Sequence, residues 1–170
     1  MECIISRAKL GDEENLAYIQ TESWKAAFEN ILSDEALQQC TQFDKVTNMY
    51  RRLLEQNIYN GYLLSVDGTP HCIAWWGASR DKDMPDSAEL ICIHSLPDRW
   101  RRGFGKKMME VVLGDIKKAQ YTKVFLWVFE ENMRARRFYE AMGFMPNGKA
   151  KTIMGTVEIC YEMICATEDL

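Results

Sequence analysis

The stretch Arg99-Trp100-Arg101-Arg102-Gly103-Phe104-Gly105-Lys106-Lys107 holds the residue types that bind phosphate. It follows an apolar run, Leu90 to Leu96, and opens a helix-patterned run from Phe104 to Ala119. The first turn of a helix leaves backbone N–H groups without partners, and its dipole end is positive. Glycine lets the backbone come close to an anion. The cations Arg101, Arg102, Lys106 and Lys107 crowd the helix end where positive charge is unfavourable. A bound polyanion relieves that conflict. A solvated basic surface is the bland alternative, and this stretch alone does not separate the two.

The elements that must position this loop follow from hydrophobic periodicity. Cys3 to Ala8 reads as a first strand. Asp12 stands where it can cap a helix running to about Phe28, with Leu16, Ile19 and Ser23 on one face. Ser33 precedes a short helix start at Asp34, and Asp44 stands where it can cap a third helix carrying Val46, Met49, Tyr50 and Leu53. Tyr62–Val66 and His71–Ala78 are strands joined at Asp67-Gly68, and Trp75 and Trp76 must face opposite sides. Ala88–Leu96 is the strand that feeds the glycine turn. Val124–Phe129 is apolar at every position, the mark of a strand covered on both faces. A helix joins those two strands, so they are expected to be parallel neighbours. Asn132 caps a last helix, with Ala135, Phe138, Tyr139 and Met142 inward and Gly143 as its stop. Phe144 onward and Val157–Ile164 read as a closing antiparallel pair. The expected class is α/β with one mixed sheet, in a single domain over residues 1–170.

Composition narrows the partners. The chain has 170 residues, a net charge of −4 and 47% apolar residues, ordinary values for a globular protein. An acidic molecule with one local basic cluster fits a small anionic ligand and argues against nucleic acid. No apolar run reaches the roughly 20 residues of a membrane span. The N-terminus lacks a secretory pattern, and the six cysteines form no Cys-x-x-Cys pair. No metal site, no membrane association and a cytoplasmic location with reduced thiols are the expectations.

A second constellation makes the glycine turn specific: Asn132-x-x-Ala135-x-x-Phe138-Tyr139-x-x-x-Gly143-Phe144. Together the two resemble the GNAT superfamily of acetyl-CoA-dependent N-acetyltransferases, whose diphosphate loop is Gln/Arg-x-x-Gly-x-Gly/Ala. Glu89-Leu90-x-x-Ile93 and Pro97 match the family's run into that loop, and the order of elements matches over essentially the whole chain. Trp100 departs from the pattern, standing where the family has Gln or Arg. The resemblance implies a mostly antiparallel sheet with one parallel strand pair splayed at the coenzyme site. It implies acetyl-CoA as cosubstrate, held by Ile93, His94, Ser95, Arg101, Arg102, Gly103, Phe104, Gly105, Lys106, Asn132 and Tyr139.

Acetyl transfer from a thioester needs a neutral amine, a stabilised oxyanion and a proton for the leaving thiolate. The resemblance gives the last task to Tyr139. It makes Glu89 the candidate base and places Glu22 and Trp24 on the acceptor wall. His71 and His94 are weaker base candidates, and Cys92 reads as packing. The implied activity is direct acetyl transfer, in a ternary complex, to a primary amine of a small molecule or peptide. A non-catalytic acetyl-CoA-binding module and a protein N-terminal or lysine acetyltransferase are the alternatives. A homodimer paired through an edge strand near Val157–Ile164 is an arrangement common in this family.

Overall fold

The computed structural model describes residues 1–165; the end of the expected 1–170 domain lies outside the described residues. The elements run β1 (Cys3–Arg7), α1 (Glu13–Phe28), α2 (Asp34–Cys40), α3 (Phe43–Gln56), β2 (Asn60–Val66) and β3 (Thr69–Ala78). They continue with β4 (Ala88–Ser95), a short 3-10 turn at Pro97–Arg99, α4 (Phe104–Lys118), β5 (Lys123–Phe129), α5 (Met133–Ala141), β6 (Met145–Ile153) and β7 (Thr156–Ile164).

The strands form one sheet in the order β1-β2-β3-β4-β5-β7-β6. Every neighbouring pair is antiparallel except β4 and β5. The helix between β4 and β5 forces that exception, because a parallel pair needs a crossover. β7 lies between β5 and β6, so it is not an edge strand. The expectation of an exposed edge near Val157–Ile164 is therefore corrected: β6 forms that edge, and β7 is paired on both sides.

Side-chain alternation splits the core into two layers. On one face Tyr62, Leu64, Trp76, Leu90, Val124, Leu126 and Val128 pack under Phe104, Met108, Val112 and Ile116 of α4 and under α5. On the other, Leu63, Ile73 and Trp75 pack under Leu16 and Ile19 of α1 and Val46 and Tyr50 of α3. Trp75 and Trp76 do face opposite sides. Burying each such side chain stabilises by about 1.5–3 kcal/mol. A polar tie sets α4 on the sheet: Trp76 Nε1 donates to Tyr62 Oη at 2.9 Å, and Tyr62 Oη donates to Asp115 at 2.8 Å.

Local signals place the ends. Asp67 and Gly68 both have positive φ, 48° and 79°, as a type I′ hairpin turn requires. Ser33 Oγ accepts from the Ala36 N–H and Asn132 Oδ1 from the Ala135 N–H, so both cap as expected. Two expected caps differ. Asp12 precedes α1, but its carboxylate accepts from the Lys9 N–H instead. Asp44 falls inside the first turn of α3, where it suits the helix dipole.

Candidate active site

The site begins where the parallel pair comes apart. Only Ala88 with Val124 and Glu89 with Phe125 are in register. β4 continues to Ser95 and β5 to Phe129, with no further pairing between them. Trp75 pairs with Cys92 and Trp76 with Leu90, so Ile91 is an extra residue in β4. Such a bulge bends its strand and increases its twist. The gap is a cleft of about 670 Å³, walled by Leu90 to Ser95 on one side and Trp127 to Phe129 on the other.

One end of the cleft is formed by the N-terminus of α4. Gly103, at the N-cap of α4, has φ 82° and offers no side chain to the first-turn N–H groups. Arg101, at φ 65°, completes a sharp left-handed entry. Arg101, Gly103, Phe104, Gly105 and Lys106 line the cleft. Arg102 is exposed and lies outside the lining.

Trp100 has a structural role. Its Nε1 donates to the Ser95 carbonyl at 2.9 Å. Its ring stacks under Arg134, whose guanidinium carbon lies 3.4 Å from the ring centroid. The indole thus ties the glycine loop to the end of β4 and to α5 across the mouth of the cleft. Burial lowers the Arg134 pKa, with Tyr139 opposing and Arg101 reinforcing that shift.

Further in, Asn132 and Tyr139 face the opening from α5, and Ile93, His94 and Ser95 face it from β4. Tyr139 is buried against the rings of Phe138, Phe144 and Tyr161. Burial pushes its phenol pKa up; Cys92 adds to this and Arg134 opposes it. Tyr139 therefore stays protonated through any ordinary working pH. His94 Nε2 accepts from Trp24 Nε1 at 3.2 Å. Indole is only a donor, so the neutral imidazole carries its proton on Nδ1. Burial, with the Arg134 charge, holds the His94 pKa down to about 4.

The other end is aromatic. Trp24 meets Phe28 edge-on at 5.1 Å, and Phe28 meets Phe129 edge-on at 4.9 Å. Trp127, Ile153, Met154 and Glu158 complete this end. Glu158 is largely buried, and burial raises its pKa while Lys151 opposes that.

The structure does not bring Glu89 and Glu22 to the cleft. Glu89 is 5% exposed, and Arg80 encloses its carboxylate with bonds from the backbone N–H (3.0 Å), Nε (3.1 Å) and a terminal NH2 group (2.7 Å). Both Glu89 oxygens are thus engaged by Arg80, outside the cleft lining. Glu22 is paired with Lys25 at 2.9 Å on the surface of α1. His71 lies outside the lining too, buried and stacked on Phe104. Among the described residues, no group of three His, Cys, Asp or Glu side chains is placed to hold a metal ion.

Residues 20–144 match the profile of the acetyltransferase (GNAT) family. The chain belongs to that family. As a GNAT protein it is an N-acetyltransferase in class. A curated relative is the uncharacterized N-acetyltransferase YuaI of Bacillus subtilis (strain 168), 23% identical over 130 residues, which span 75% of this chain and 72% of the relative. Among solved structures, the PaiA N-acetyltransferase of Thermoplasma acidophilum in complex with coenzyme A has a TM-score of 0.76 and 21% identity, over 96% of this chain and 99% of that one. The ribosomal-protein-S18-alanine N-acetyltransferase of Escherichia coli has a TM-score of 0.66 and 19% identity, over 99% of this chain and 97% of that one. These likenesses show the GNAT fold. Arg134, Trp127, Phe129 and Glu158 are cleft residues that sequence reasoning on this GNAT chain missed. The signal for two of them was present: Phe125, Trp127 and Phe129 alternate on one face of β5.

Proposed function

We propose that this protein transfers the acetyl group of acetyl-CoA to a primary amine of a small molecule or peptide, by direct attack in a ternary complex. The observation that carries the reading is the opening between β4 and β5, with an uncapped, cation-rich helix start at one end and a phenol deep inside. These residues fit the coenzyme's chemistry. The α4 N–H groups behind Gly103, with Arg101 and Lys106, suit a diphosphate. The length of β4 from Ile93 to Ser95, paired with β3 but left without a partner on the β5 side, suits an amide-bearing arm, and Asn132 lines the same cleft. That the Thermoplasma relative of the same fold is in complex with coenzyme A supports coenzyme A chemistry for this cleft.

Bound there, acetyl-CoA supplies an activated thioester. The chain's own groups do the rest. The β4 backbone near Ile93 to Ser95 orients the carbonyl and stabilises its oxygen as negative charge develops. Tyr139, held protonated, gives the departing sulfur a hydrogen bond and then its proton. The aromatic end takes the acceptor. Tyr139→Phe is expected to lower kcat by about 10²-fold or more, the size of a lost proton donor. Acetyl-CoA affinity by calorimetry should stay within about twofold, because the phenyl ring keeps the packing. Parental turnover by the variant overturns the acid role.

A further inference from the structure

Glu158 is the one carboxylate lining the cleft among the described residues. Its side chain is 16% exposed. It sits on β7 in register with Phe129 of β5 and Lys151 of β6, so all three share the face that α1 covers. The Lys151 ammonium lies 3.7 Å from Glu158 Oε2 and 4.1 Å above the centroid of the Trp127 ring. A carboxylate beside an aromatic face is a composite site for a primary ammonium: the charge pairs with one and the cation–π contact uses the other. The chain itself places such a group there. Lys151 is half exposed and reaches in from β6, a position that an incoming amine can take over. Beyond the ammonium, Trp24, Phe28 and Phe129 offer apolar wall and no second charge.

We propose that Glu158, with the face of Trp127, holds the acceptor as its ammonium in place of Lys151 and takes its proton, which makes the substrate a cationic amine on an apolar stem. This rests on the acetyl-transfer reading for its last step. The proton passes from nitrogen to a Glu158 oxygen. The freed lone pair forms the N–C bond at the thioester carbonyl, the C–S bond breaks as Tyr139 protonates the departing sulfur, the second nitrogen proton passes to the Tyr139 oxygen, and Glu158 releases its proton to solvent. The raised pKa of Glu158 suits a group that must take and release a proton.

The probe is hexylamine, assayed with acetyl-CoA at pH 7 and pH 10 in the parent and in Glu158→Gln, with acetyl-CoA affinity as the folding control. The substitution should lower kcat/KM by about 100-fold at pH 7, the scale of a lost base, and by at least tenfold less at pH 10, where free amine is abundant. An unchanged kcat/KM, or a loss equal at both pH values, overturns the proposal. If Glu158→Gln fails to fold, Lys151→Met serves: emptying the site should lower the hexylamine KM about two- to fivefold, the worth of an exposed ion pair, and an unchanged KM overturns the proposal. Should no amine be acetylated, calorimetry of hexylamine on the coenzyme A-loaded protein decides. Binding that weakens about tenfold or more in Glu158→Gln keeps the anchor while the acetyl-transfer reading falls. Absent or equal binding removes the anchor.

Discussion

His94 shows how neighbours set a side chain's chemistry. An imidazole at the crevice of an α/β sheet is a ready base candidate, yet its Nε2 is taken by Trp24 and its pKa is held down to about 4. It thus serves as a neutral strut between β4 and α1. The sign of its pH effect follows. Unfolded, His94 takes a proton near pH 6.5; folded, it does so only near 4. Between those values the unfolded chain binds more protons, so this contribution to stability is lost as pH falls from about 6.5 toward 4. His94→Gln retains an acceptor for Trp24 and removes the titration. Urea midpoints at pH 7 and pH 4.5 should therefore drop less for the variant than for the parent. His71, also pushed down by burial, adds the same slope to both proteins. Equal drops contradict the strut. At this scale the sequence was legible where the backbone dictates a residue type, as at Gly103 and Asn132. It did not show the ion pair of Glu89, because the partner sits across a turn at Arg80, which no local pattern announces. Glu158 was missed for the converse reason, reading as one polar position in a closing strand.

At the scale of elements, the glycine turn and α4 carry the coenzyme argument, and their two glycines do different work. Gly103 has φ 82°, where an L side chain is strained by about 1–2 kcal/mol. A Cβ on Gly105 meets only Phe138, at 3.5 Å, an ordinary contact. Gly103→Ala should therefore lower stability by about 1–2 kcal/mol, whereas Gly105→Ala should fold as well as the parent and still bind acetyl-CoA more weakly, since it adds bulk at a first-turn residue that lines the cleft. Chemical denaturation and calorimetry read the two effects separately. Strong acetyl-CoA binding by Gly105→Ala contradicts the cradle. Element types and order were legible because periodicities of 2 and 3.6 are strong along this chain. The strand order was not: a β7 inserted between β5 and β6 is a tertiary choice, and only cross-strand pairing exposes it.

At the scale of the molecule, the cleft is a product of topology. One parallel pair inside an otherwise antiparallel sheet parts after two residue pairs, and the helices on the two faces wall the opening. The glycine loop, the phenol and the aromatic end of the cleft come from widely separated parts of the chain, so their convergence was legible only through the family pattern that links Gly103 to Tyr139. No helix among the described residues is long and apolar enough to cross a membrane. The central claim is that this convergence transfers acetyl groups to amines. Thiol release from acetyl-CoA, followed over a panel of primary amines and peptides, tests it most directly. The account predicts release that depends on the amine, with an equal yield of acetylated product, fastest for cationic amines on apolar stems. Tight binding of acetyl-CoA with no amine-dependent release across the panel would contradict it and leave a coenzyme-binding module.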